Sequence, residues 1–373
     1  MKKALPLLLL MVMILVTACS KNTTTPGNAG SNDGADKPDK GGFKVVLLIP
    51  GTLGDKSFFD AANAGLNQVK EKLGASTKVI EMGADQTKWE PTFDDVAAQD
   101  WDVIISGGSQ ITELLNATAE KHPDKTFINY DTDIAEVASN VYAVSYATNE
   151  VSFLAGAAAA LASTSDLPNA NPDKKIGFLG GMDIPGINAF LVGYIEGAKY
   201  VVPDIKVAIS YAGDFANPGK GKEMSLLQYK SGVDVIFNVA GGTGLGVFDA
   251  AKEQKKYAIG VDSDQSAMMQ GTDDEKASLI FTSAIKKIDS VILNAVKQAK
   301  EGTLAKGKLE VAGLQQDGVG LAENGVYGSV LPESIRTRIE DLKKKLALGE
   351  IKVSNAMGMD TSKIEEIRQS VKP

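Results

Sequence analysis

A continuous apolar run, Lys44-Val45-Val46-Leu47-Leu48-Ile49, is stopped by Pro50-Gly51, and it constrains this chain more than any other feature. A strand with no polar alternation is buried on both faces, and that is the pattern of a parallel sheet covered by helices. The spacing then predicts a helix over Phe58–Leu73, a strand over Thr77–Met82, a helix near Thr92–Gln99 and a strand at Val103–Ser106. A helix over Ile111–Lys121 and a strand over Thr126–Tyr130 follow. A second series starts after about Ser145. Its strands are Lys175–Leu179, Lys206–Tyr211, Asp234–Asn238 and Tyr257–Val261, and its helices Asn149–Ala162, Ala189–Val202, Lys220–Lys230 and Thr243–Gln254. Strand–helix alternation implies doubly wound parallel sheets. Two series of similar size imply two similar lobes facing one cleft.

In open α/β sheets ligands bind beyond the carboxyl ends of the strands, so the residues there matter most. In the first series they are Asp55-Lys56-Ser57-Phe58, Ser106-Gly107-Gly108-Ser109 and Asp131-Thr132-Asp133. In the second they are Gly180-Gly181-Met182-Asp183, Gly213-Asp214-Phe215, Gly241-Gly242-Thr243-Gly244 and Asp262-Ser263-Asp264-Gln265. Glycine allows close backbone approach, carboxylates accept hydroxyl protons, and aromatic faces stack flat rings. The set suits a neutral, polyhydroxylated ligand bearing a ring.

Composition removes other chemistries. The 373 residues include one Cys and one His, so neither a Cys-cluster zinc site nor a His-rich metal centre has material. His122 adjoins Pro123 at a helix end, which leaves a catalytic triad without its base. Gly241 to Gly246 does not satisfy G-x-G-x-x-G, and Gly219-Lys220-Gly221-Lys222 lacks P-loop spacing. Asp262-Ser263-Asp264 opens like a calcium loop, but Ala267 occupies the position that requires Gly. With a formal charge of −8 and no basic run, nucleic acid is not an expected partner. No enzyme, cofactor or metal is expected.

The N-terminus explains the lone cysteine. Met1-Lys2-Lys3 is a basic n-region, and Leu7–Val16 is an apolar stretch shorter than the roughly 20 residues a membrane span needs. It ends in Val16-Thr17-Ala18-Cys19, which resembles the lipobox of bacterial lipoproteins: residues 1–18 would be a signal peptide and Cys19 the lipidated N-terminus. Removing residues 1–18 takes away two lysines, so the formal charge moves from −8 to −10. Residues 19–42, poor in large apolar side chains, read as the anchor and a flexible tether.

From about Val45 to Leu321 the sequence resembles the basic membrane protein family of substrate-binding lipoproteins, whose best understood members are purine nucleoside receptors of ABC importers. The resemblance rests on Asp55-Lys56-Ser57-Phe58, His122-Pro123-Asp124 leading to Asp131, and Phe153-Leu154-Ala155-Gly156. It continues through Gly177-Phe178-Leu179-Gly180-Gly181-Met182-Asp183-Ile184-Pro185, Gly197-Ala198-Lys199-Tyr200 and the dense run Asp234 to Gln265. Thr282-Ser283 with Lys286, then Gly318-Val319-Gly320-Leu321, complete it. Phe59 stands where the family pattern has Asn, and is expected to pack behind Phe58.

The resemblance implies a type I periplasmic-binding fold crossing between lobes three times, expected near Tyr146, Gln265 and Thr303. Residues 43–145 with 266–302 would form the N-lobe, and 146–265 with 303–373 the C-lobe. Phe58 and Phe215 are the candidate stacking pair, Asp262 the reader of ribose hydroxyls, and Asp131 the reader of ring N–H or amino groups. Lys286 would contact the ligand or Asp262, and Gly241 and Gly242 would present backbone amides. Asp55 and Ser57 complete the candidate set, while Asp264 reads as hinge. The implied function is capture of guanosine, inosine or adenosine by a monomer lipid-anchored on the extracytoplasmic face, for delivery to an ABC permease. The same fold binding a sugar or small signalling ligand is the alternative.

Overall fold

The computed structural model describes residues 42–373. The expected signal peptide, Cys19 and all but the last residue of the tether lie outside them.

The chain opens with β1 (Lys44–Ile49), α1 (Phe58–Leu73), β2 (Ser76–Glu81), α2 (Trp89–Ala97), β3 (Val103–Ser106), α3 (Thr112–Lys121), β4 (Thr126–Asn129) and β5 (Val141–Tyr146). There follow α4 (Thr148–Ser163), β6 (Lys175–Gly180), α5 (Pro185–Val201), β7 (Lys206–Tyr211), α6 (Pro218–Lys230), β8 (Val235–Val239), α7 (Leu245–Gln254) and β9 (Tyr257–Asp262). Short helices α8 (Gln265–Met269) and α9 (Asp274–Leu279) lead to β10 (Ile280–Lys286), α10 (Ile288–Glu301), β11 (Lys308–Ala312) and β12 (Val319–Leu321). The chain ends in α11 (Gly325–Val330), α12 (Glu333–Ala347) and α13 (Thr361–Ser370).

Two six-stranded sheets result, ordered β11-β5-β4-β3-β1-β2 and β12-β10-β9-β8-β6-β7. Every pairing is parallel except β10 with β12. The unbroken apolar run of β1 now has its reason. Val45, Leu47 and Ile49 face one core, while Val46 and Leu48 face a second on the opposite side with Phe93 and Leu115. In the second sheet Phe178, Phe237 and Ile259 pack toward α4 and α5, and Leu179, Ile236 and Ala258 toward α6 and α7. The family-like glycines of α4 and α5 have a packing role as well. A Cβ on Gly156 would lie 2.0 Å from the Tyr194 carbonyl oxygen, and one on Gly197 1.9 Å from that of Phe153. The two helices touch backbone to backbone there, and any side chain would prise them apart.

The lobe boundaries differ from the expected ones at two crossings. The first crossing falls at Tyr146, between β5 and α4. The next follows Lys286, because β10 pairs with β9 over Ile280–Ile285 and so belongs to the second sheet. The third follows Ala312, because β11 pairs with β5 at the edge of the first sheet. Only α10 and β11 return to the first lobe; residues 266–286 stay in the second. Hydrogen-bonding partners distant in sequence decide this, and the local pattern of an apolar strand does not name its sheet.

Candidate ligand-binding site

The carboxyl ends of both sheets open onto one cleft of about 990 Å³, counting its mouth. Asp55, Phe58, Asp131, Phe215, Gly241, Gly242, Asp262 and Lys286 all line it. Of the expected residues only Ser57 does not: it is fully buried just beneath the surface.

At the centre stands an ionic triad in which Lys286 and Asp262 are buried and Asp131 is partly buried. Lys286 Nζ at the end of β10 donates to Asp131 Oδ2 after β4 at 2.8 Å, and lies 3.9 Å from Asp262 Oδ1 at the end of β9. Ser57 Oγ donates to Asp262 Oδ2 at 2.6 Å. Asp131 and Ser57 belong to the first lobe, Asp262 and Lys286 to the second, so both bonds cross the cleft. Burial pushes both carboxyls above the usual carboxylate range, opposed by the Lys286 ammonium. Burial alone would depress Lys286, but Asp131 and Asp262 outweigh it and hold the ammonium above the ordinary lysine value. Lys286 also lies over the rings of Phe58, Tyr146 and Phe190, at 5.3, 5.5 and 5.0 Å from their centroids. Such a caged ammonium is held by charge and by ring faces together. Its neighbour Lys287 is exposed and pairs with Asp317.

Asp262 has φ +62°, a left-handed conformation that costs a residue with a Cβ unless its surroundings hold it there. The scaffold for it is polar and buried. Gln265 Oε1 accepts from the Val261 backbone N–H at 2.9 Å and from Asn238 Nδ2 at 3.2 Å, and Asn238 Oδ1 accepts from Ala240 N–H at 3.1 Å. This bracket ties the ends of β8 and β9 and places Gly241 and Asp262 together. Asp264, expected in the hinge, caps α8 through the Ala267 N–H and accepts from Asn324, both inside the second lobe.

Asp55 is committed to backbone. Its carboxylate accepts from the N–H groups of Ser57, Phe59 and Asp60 at 3.0, 3.0 and 3.1 Å, which fixes the first turn of α1. Burial pushes it up to about 6 against the pull of those amides. The turn aims Phe58 into the cleft. The ring sits 5.2 Å from Tyr130 and 5.5 Å from Phe59, which meets it edge-on. Phe59 itself fills the space over Gly51, where a Cβ would come within 2.4 Å of its ring, and it reaches the cleft wall as well. From the other lobe Phe215 packs against Gly181, with a ring carbon 2.2 Å from where a Cβ would be. Gly241 and Gly242 lie in a 3-10 turn ahead of α7.

Sequence reasoning missed Phe190, Ile187 and Met357, which add apolar lining to the cleft. They sit inside or beyond helices, where a large apolar residue carries no local sign of facing a ligand. Asn238 and Gln265 were equally illegible as a bracket, because their partnership spans two strand ends.

Among the described residues no helix is long and apolar enough to cross a membrane, and no cluster of His, Cys, Asp or Glu side chains is placed to hold a metal ion. Two parallel-sheet lobes, three crossings and one cleft at the strand ends define a solute-binding protein of the hinged, two-lobed class. Residues 43–355 match the Bmp family, described as ABC transporter substrate-binding protein PnrA-like, and the chain belongs to that family. It is 30% identical over 338 residues to the ABC transporter nucleoside-binding protein BmpA of Lactococcus lactis, covering 86% of this chain and 92% of that one. Basic membrane protein D of Borreliella burgdorferi is 29% identical over 346 residues, covering 91% and 90%. A solved ABC-transporter solute-binding protein from Aeropyrum pernix superposes with a TM-score of 0.77 at 25% identity, over 88% of this chain and 98% of its own.

Proposed function

We propose that the protein captures a purine nucleoside between its lobes and delivers it to an ABC importer from a lipid anchor at Cys19 on the extracytoplasmic face. The observation that supports the reading is that Phe58 and Phe215 line the cleft from opposite lobes, together with the Asp131–Lys286–Asp262 triad. Two rings suit a flat base, each aromatic pair adding roughly 0.5–1.5 kcal/mol beyond area burial. Asp262 would accept from ribose hydroxyls, a charge-assisted bond of the stronger class. Asp131 would accept from ring N–H or amino groups, with Lys286 supporting both carboxylates. Asp55 and Ser57 act one step removed, by aiming Phe58 and by holding Asp262. The name of the Lactococcus lactis relative supports the ligand class. Closure favours the liganded form by population shift, and the importer engages that form. No reaction is assigned to the site.

Calorimetry is expected to show tight binding of guanosine, inosine or adenosine by a monomer, with free ribose much weaker. Ribose bound as tightly as guanosine would remove the stacking pair. Release of free base from inosine would overturn the non-enzymatic reading. Gly181→Ala offers a sharper check: the added methyl displaces the Phe215 ring without touching the ionic triad. Its nucleoside affinity should fall about tenfold with an unaltered melting temperature. Equal affinity would mean that the ring takes no part.

A further inference from the structure

The family match ends at residue 355, yet the chain beyond it reaches the cleft. Met357 lines the cleft, as do Ile187 and Phe190 of α5. It is seated by a small cluster in which Ala356 and Ile364 bury against Ala189 and Val192 of α5. Farther on, Arg368 of α13 fastens the loop between β6 and α5. Its Nη2 lies 2.7 Å from Asp183 Oδ1, 3.0 Å from Asn188 Oδ1 and 2.8 Å from the Tyr211 hydroxyl, and the guanidinium stacks over Tyr211 at 5.1 Å. A main-chain bond from Val207 N–H to the Val371 carbonyl at 2.9 Å ties down the end. The fastened loop is the rim that meets the other lobe. Gln110 Nε2 donates to Met182 Sδ at 3.5 Å, and a Cβ on Gly186 would lie 3.1 Å from Ser109 Oγ.

We infer that the segment after residue 355 is a specificity element of the site: Met357 supplies part of its apolar lining, and Arg368 is the positioning residue that holds the rim loop in place. The inference rests on the nucleoside reading for its choice of ligand. A thioether wall yields to shape but excludes bulk, so it sets which apolar substituents on the ring the closed cleft admits. All three contacts fall on one guanidinium nitrogen, while the flat group also stacks on the Tyr211 ring, a contact an ammonium does not reproduce.

The test compares the full mature chain with Met357→Ala, Arg368→Met and Arg368→Lys. Calorimetry measures inosine, base-alkylated purine nucleosides and ribose, and hydrogen exchange follows the backbone amides of residues 181–190 without added ligand. Met357→Ala should shift the affinity ratio of alkylated to unsubstituted nucleoside by about tenfold toward the bulkier ligand. Arg368→Met should speed exchange of the loop about tenfold and move the same ratio, with Arg368→Lys restoring part of both. An unchanged ratio in Met357→Ala, or unchanged loop exchange in Arg368→Met, would overturn the inference. Wild-type titration alone judges the nucleoside reading. Should no nucleoside bind, the exchange measurement decides the inference unaided.

Discussion

Asp262→Asn should weaken nucleoside binding by ~10-fold or more, the effect of losing a charge-assisted bond worth roughly 1.5–3 kcal/mol. Asn is the informative substitution because it keeps the shape and tolerates the left-handed backbone at φ +62°. Asp262→Ala should bind no better, and it leaves Ser57 Oγ without the acceptor 2.6 Å away. Acidification tests the same bond. Burial sets Asp131 and Asp262 above the usual carboxylate range, so both take up protons at a higher pH than an exposed Asp. Affinity should therefore fall as the pH is lowered through the range in which these two raised carboxyls take up protons, less steeply in Asp262→Asn. Calorimetry across that range reads both effects, and unchanged affinity in Asp262→Asn would remove Asp262 from the site.

Lys286→Met should have the largest effect on stability. It leaves two buried carboxylates facing each other across the lobes without their cation, a loss of about 3–5 kcal/mol. For a body of this size that corresponds to a melting temperature roughly 5 °C lower. The sign of its pH dependence follows from the same geometry. Without the ammonium, the folded-state values of Asp131 and Asp262 rise further above their unfolded ones. The native state then binds more protons than the unfolded chain as pH falls through that window, and stability increases. The gap between variant and wild type should accordingly narrow on acidification. A thermal melt that shows no deficit at neutral pH would mean that the triad is not a coupled unit.

Much of this site was legible because parallel sheets place their strand ends together. Asp131, Phe215, Gly241 and Asp262 each follow a strand whose apolar run is unmistakable, and they meet for that reason. Lys286 was harder. It stands next to Lys287, and nothing local tells the buried ammonium from the exposed one; the pairing of β10 with β9 turns one of them inward. Ser57 shows the reverse failure, since a strand-end position need not face the ligand.

By itself the sequence determined the architecture and the chemistry of the cleft. The period of its apolar residues dictates strand and helix, and the residues after each strand dictate what a ligand can meet. Only the tertiary structure decided which lobe owns β10 and β11, which carboxylates share Lys286, and that Asp55 serves the backbone. It also decided that the C-terminal segment reaches the cleft at Met357. The physical reason is the range of the interactions. Periodicity is written in neighbours three or four residues apart, whereas a hydrogen bond between Lys286 and Asp131 joins positions 155 residues apart that only folding brings to 2.8 Å.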